Sequence, residues 1–113
     1  NVVVVEDDAL VVAGMATLLQ ELGAAVRYFN TAEEALLYAA VAHADYYIVD
    51  YALSGELNGL DFLHAVQHKR IIPLRAVVIT GETSSYFIRS AENSPWPVLH
   101  KPVNYVKLAS ALS

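Results

Sequence analysis

The sequence predicts a doubly wound α/β domain built on five parallel strands. Three observations carry this. Short β-branched or aromatic runs alternate with helical patterns five times along 113 residues. The first run, Val2-Val3-Val4-Val5, shows no polar alternation, which suits a strand covered on both faces. Most of the charges that interrupt these runs fall just after them, at the ends of the predicted strands. Strands alternating with helices require crossovers, and such crossovers are right-handed and place helices on both faces of a parallel sheet.

Taken in order, Val2 to Val5 is the first strand. Asp8 to Leu22 follows as a helix, with Leu10, Met15, Leu18, Leu19 and Leu22 at helical spacing and Gly23 as its stop. Ala25 to Phe29 is the second strand. Thr31-Ala32-Glu33-Glu34 reads as a capping box opening a helix that runs to about Ala42. Tyr46 to Val49 is the third strand, ending at Asp50, and a loop with Ser54-Gly55 and Asn58-Gly59 follows. Leu60 to Gln67 is a helix. Arg75 to Ile79 is the fourth strand, ending at Thr80-Gly81. Ser84 to Glu92 is a short, weakly marked helix. Trp96 to His100 is the fifth strand, ending at Lys101-Pro102. Asn104 caps a last helix, with Val103 and Leu108 placed as a hydrophobic staple.

The composition limits the function. Apolar residues make up 56% and charged residues 17% of the chain, which excludes a disordered segment. Charge or proline breaks every apolar stretch well short of the 18 residues a spanning helix needs. There is no cysteine, hence no disulfide, thiolate metal site or cysteine nucleophile. The net charge of -5 argues against direct contact with a nucleic-acid backbone. The chain opens at Asn1 without an initiator Met and ends abruptly, so it reads as a single domain, residues 1–113, of something longer. No internal repeat or linker is visible.

Ligands of open parallel α/β sheets bind outside the carboxyl ends of the strands. Asp7 and Asp8 follow the first strand, Asp50 the third, Thr80 the fourth and Lys101 the fifth. Three carboxylates brought together repel one another, and a hard divalent cation relieves that repulsion. Mg²⁺ takes oxygen ligands, binds one or two carboxylates and accepts phosphate oxygens. Lys101 adds a second positive charge and Thr80 a hydroxyl donor. Such a set suits phosphoryl transfer, which depends on positioning and charge neutralisation. Asp50, alone at a central strand end, is the candidate nucleophile for an aspartyl phosphate.

The segments VVVVEDD (2–8), YYIVDYALSGELNGLDFL (46–63), VVITGE (77–82) and LHKP (99–102), in this order and each at a strand end, resemble the receiver domains of two-component response regulators over essentially the whole chain. The resemblance implies a flavodoxin-like fold with strand order 2-1-3-4-5. It implies that Asp50 accepts a phosphoryl group from a phosphohistidine, and that Asp7, Asp8, Asp50 and the backbone carbonyl of Ala52 hold Mg²⁺. Thr80 and Lys101 would contact the phosphoryl oxygens, and the Lys101–Pro102 bond would be cis. The implied partner is a histidine kinase or a histidine phosphotransfer domain, with a homodimer through the fourth helix, fifth strand and fifth helix as a further expectation. No membrane contact is expected of the domain itself, which would lie in the cytoplasm even if its parent protein is membrane-anchored. GELNGLDFL and LHKPVNYVKLASAL are most similar to receivers fused to hybrid histidine kinases, with a stand-alone regulator as the alternative. Val98 stands where many receivers carry an aromatic switch residue.

Other readings have weaker support. Asp7 and Asp8 could open the first helix, where acids favour the dipole. A Mg²⁺-dependent phosphohydrolase would need an acid two residues beyond Asp50, where Ala52 stands. A flavin-binding module would need a Ser/Thr/Gly-rich first loop in place of Glu6-Asp7-Asp8. A degenerate receiver used only for docking would have lost some of the five strand-end residues. His43, His64 and His68 are expected on helix surfaces or loops, and Tyr46 and Tyr47 against helices. Trp96, between two prolines, is a candidate exposed contact residue.

Overall fold

The computed structural model describes residues 1–81 and 84–112; Glu82, the last residue of the fourth-strand motif, lies outside them. Five strands form one parallel sheet: β1 Val2–Val5, β2 Val26–Phe29, β3 Tyr46–Asp50, β4 Ala76–Thr80 and β5 Val98–His100, in the order β2-β1-β3-β4-β5. The helices are α1 Ala9–Glu21, α2 Ala32–Leu36, α3 Gly59–His68, α4 Ser85–Glu92 and α5 Tyr105–Leu112. This is the flavodoxin-like, doubly wound arrangement the sequence leads one to expect.

The strand alternation sorts the core into two layers. Val3, Val5, Tyr47, Val49, Ala76 and Val78 point to one face and pack under Ala32, Ala35, Phe62, Leu63 and Val66. Val2, Val4, Tyr46, Ile48, Val77 and Ile79 point to the other and pack under Met15, Leu19 and Leu108. Every residue of β1, β3 and β4 is buried. Their runs therefore read as continuously apolar, because both sides of each strand face a helix layer. The adjacent tyrosines on β3 tie it to both layers. Tyr46 Oη donates to the Ala111 carbonyl at 3.2 Å, and Tyr47 Oη donates to the Val41 carbonyl.

Two elements differ from expectation. The second helix is predicted to reach about Ala42. Instead α2 ends at Leu36, and Ala39–His43 forms a separate 3-10 turn. Its carbonyls are claimed from outside. Tyr47 donates to Val41, while Arg70 Nη1 donates to Ala44 at 2.8 Å and Ala42 at 3.4 Å. The turn also buries Val41 in the core. The fifth strand is shorter than predicted because Pro97 has no N–H for the ladder, although its carbonyl still accepts from Val78 N at 3.0 Å. Trp96 is not exposed. It is 5% accessible, donates from Nε1 to the Leu74 carbonyl at 3.2 Å and meets His64 edge-on. His43, His64 and His68 are exposed, and Tyr46 and Tyr47 are buried, as expected.

Candidate functional site

The sheet register builds the site. Val5 lies opposite Val49, so the next residue on each strand, Glu6 and Asp50, leaves the sheet side by side. Asp50 is opposite Ile79, one residue before Thr80, and Thr80 is opposite His100, one residue before Lys101. The direction in which successive strands are added reverses between β1 and β3, the chain passing from β1 to β2 on one side and from β3 to β4 on the other. The crevice at such a switch point is where these sheets bind ligands.

Asp50 is 4% exposed at the end of the central strand. Lys101 Nζ reaches Asp50 Oδ2 at 3.2 Å and Glu6 Oε1 at 3.7 Å. Its backbone N–H donates to the Thr80 carbonyl at 2.7 Å, and the Lys101–Pro102 peptide bond is cis. Thr80 is buried at the end of β4. Glu6 is 2% exposed, and its carboxyl is pushed up to about 7. Burial is the main cause and the charge of Asp50 the second, against the lowering effects of the Asp8 N–H and Lys101. Burial by itself would lower the Lys101 pKa, but the hydrogen bond and charge of Asp50, with Glu6 and Asp8 behind it, raise it overall. That ammonium stays protonated.

Ligand oxygens of Glu6, Asp7 and Asp50 lie within 4.8 Å of one another. The expected trio was Asp7, Asp8 and Asp50. The structure brings Asp7 and Asp50 together and substitutes Glu6 for Asp8. Asp8 is the N-cap of α1, its exposed Oδ1 accepting from Leu10 N at 3.0 Å and Val11 N at 3.4 Å. That is the helix-opening role weighed above. The signal in the sequence was the helix boundary itself: an N-cap at position 8 leaves Glu6 and Asp7 as the pair that follows the strand.

These residues suit a hard divalent cation. Three carboxylates face one ammonium, and Glu6 Oε2 is buried without a partner among the described residues. A buried carboxylate oxygen with no donor is costly, and a cation would satisfy it. Gly59, the first residue of α3, packs against the site from behind. A Cβ there would come within 2.4 Å of the Asp50 carbonyl oxygen, so α3 can begin this close to the site only with glycine. Asn58 caps that helix in a reciprocal box with Asp61.

The doubly wound sheet with an acidic crevice opposed by a lysine at the carboxyl ends of its strands defines a class of ligand-binding α/β domains. The family follows directly, because the model of the response regulator receiver domain matches residues 2–113, and the chain belongs to that family. Among solved structures it is similar to the signal receiver domain of a modulated diguanylate cyclase from Desulfovibrio desulfuricans G20, at 29% identity and a TM-score of 0.83, covering 98% of this chain and 88% of that one. It is also similar to the chemotaxis protein CheY4 of Vibrio cholerae, at 26% identity and a TM-score of 0.79, covering 98% and 93%. A CheY-like receiver domain protein from Methanospirillum hungatei JF-1 shares the fold, at 22% identity and a TM-score of 0.80, covering 98% and 88%. No curated protein sequence matches. The chain is thus a receiver domain of two-component signal transduction. Receivers of this family bind Mg²⁺ at an acidic pocket and work with histidine kinases or phosphotransfer proteins. Among the described residues, no helix is long and apolar enough to cross a membrane.

Proposed function

We propose that Asp50 is the phosphoacceptor, taking its phosphoryl group from the phosphohistidine of a histidine kinase or phosphotransfer domain. The observation that carries this reading is the Asp50 carboxylate, buried at the end of β3 between Glu6 and Lys101. A carboxylate oxygen of Asp50 forms the new O–P bond as the histidine N–P bond breaks. The electron pair leaves with the imidazole, which takes up a proton from solvent. Glu6, Asp7, Asp50 and the Ala52 carbonyl would hold Mg²⁺, which supplies charge neutralisation and an anchor for phosphoryl oxygens. Lys101 keeps its positive charge beside the group being transferred.

Incubation with Mg²⁺ and acetyl phosphate should add the mass of one phosphoryl group. The addition should vanish in Asp50→Asn and in chelator. An increment that survives Asp50→Asn sinks the assignment.

The phosphoryl group brings a dianion whose oxygens need donors. Thr80 and Lys101, at the ends of β4 and β5, supply them, and their strands draw inward with α4 and α5 as the bistable part. That face exposes Tyr86, Ile88 and Val106, and we take it as the output surface and the site of homodimer contact. The similarity of residues 55–63 and 99–112 to hybrid-kinase receivers supports a parent of that type. The sequence surrounding this domain in its gene tests the parentage directly.

A further inference from the structure

We propose that Ser54 and Glu33 are positioning residues of the metal site: Glu33 clamps the loop between β3 and α3, and Ser54 on that loop holds the Asp7 carboxylate in its ligating orientation. The proposal rests on the Mg²⁺ reading above and extends it to two side chains outside the ligand set.

Asp7 is the exposed member of the carboxylate cluster, and an exposed aspartate is free to sample several rotamers. Ser54 Oγ donates to Asp7 Oδ2 at 2.7 Å across 47 positions of sequence. That bond selects one orientation while the second carboxylate oxygen remains available. It is useful only if Ser54 is itself fixed, and the loop from Tyr51 to Asn58 has no regular structure to fix it.

Glu33, in the first turn of α2, provides the anchor. Its Oε2 accepts from Glu56 N at 2.9 Å and Leu57 N at 3.0 Å. The backbone N–H groups of Glu33 itself, Leu57 and Glu56 hold its carboxyl below the usual range, which favours the charged form. The other oxygen, Oε1, is pressed against Gly55. A Cβ at that position would approach within 2.7 Å of it, and Gly55 has φ +100. Glycine therefore lets the loop wrap tightly over the carboxylate. The same loop carries the Ala52 carbonyl. One clamp from α2 thus sets both the hydroxyl that orients Asp7 and the backbone oxygen expected at the metal. Hydrogen bonds that orient a ligating carboxylate typically contribute about 10-fold or more to metal affinity.

The test is calorimetric titration of the whole chain with Mg²⁺, in wild type, Ser54→Ala, Ser54→Thr and Glu33→Ala, with thermal unfolding of each in chelator as the control. Ser54→Ala should weaken Mg²⁺ by about 10-fold with its unfolding midpoint unchanged. Ser54→Thr, which keeps the hydroxyl, should restore affinity. Glu33→Ala should weaken Mg²⁺ as well and speed amide exchange at Glu56 and Leu57. Unchanged affinity in Ser54→Ala overturns the proposal. So does tighter binding, which would show that the hydroxyl competes with the metal. If the wild-type chain gives no Mg²⁺ isotherm, the metal reading falls and takes this one with it. A normal wild-type isotherm matched by Ser54→Ala removes the positioning role alone.

Discussion

At the scale of single residues, the most informative side chain is one the acidic triplet hides in plain sequence. Glu6 leaves β1 beside Asp50, buried, with one oxygen lacking a donor among the described residues. Its pKa of about 7 lies above its value of 4.5 in an unfolded chain, so the folded state binds the extra proton between those limits. A group raised in this direction costs stability once it ionises. In chelator, stability should therefore fall as pH rises from about 4.5 to about 7, by up to about 3 kcal/mol. Glu6→Gln should flatten that fall and leave the chain more stable than wild type at pH 8, as read by urea denaturation across the pH range. Glu33 and Asp45, whose carboxyls are held low, titrate below that window and act in the opposite sense. Asp50, Thr80 and Lys101 were legible because each stands immediately beyond or at the end of an apolar run. Glu6 was not, because choosing the right pair among three consecutive acids requires knowing within one residue where the strand stops and the helix starts.

At the scale of elements, the start of α1 decides that choice, and it can be tested there. Asp8 accepts two backbone N–H groups of the first turn. Asn caps as well as Asp, so Asp8→Asn should change stability by less than about 0.5 kcal/mol. Asp8→Ala should lose about 1 kcal/mol in chemical denaturation, and both variants should still accept a phosphoryl group from acetyl phosphate. Loss of phosphorylation in Asp8→Asn would return Asp8 to the ligand set. The strands and two helix starts were marked locally in the sequence, by β-branched runs and by the Thr31 and Asn104 caps; Asn58 and Ser84 also cap helices, which the sequence reading did not assign to them. The misread elements are those governed by distant partners. The α2 helix stops early because Tyr47 and Arg70, from β3 and the segment after α3, take carbonyls of residues 41 to 44. Trp96 turns inward because Leu74 offers its carbonyl and His64 an edge. Nothing within a few residues of either position announces those contacts.

At the scale of the whole molecule, parallel strands set every C-terminal end on one side, so that site residues separated by up to 95 positions, Glu6 and Lys101, meet within 3.7 Å. The parallel sheet and the crevice at its carboxyl ends were readable from alternation, because crossover handedness leaves few topologies; the strand order came only with the family resemblance. Phosphorylation at Asp50, as proposed, would act at the junction of β3, β4 and β5, and its effects should spread accordingly. Beryllofluoride, a phosphoryl mimic, should change amide exchange over Ser85–Glu92, Val98–His100 and Tyr105–Leu112 while leaving β1 and α3 unchanged. Sedimentation of the same two samples reads whether Tyr86, Ile88 and Val106 then pair with a second copy. Equal exchange on that face refutes the switch. The buried indole of Trp96 has a practical consequence here. It is the single tryptophan of the chain, and it adjoins β5, whose end carries Lys101. The domain thus contains one native fluorophore, shielded from solvent, two residues ahead of the strand expected to move. Because there is no cysteine, a single introduced thiol on α4 or α5 can carry an acceptor dye, and the distance change on phosphorylation can be followed in real time without removing any native residue from the site.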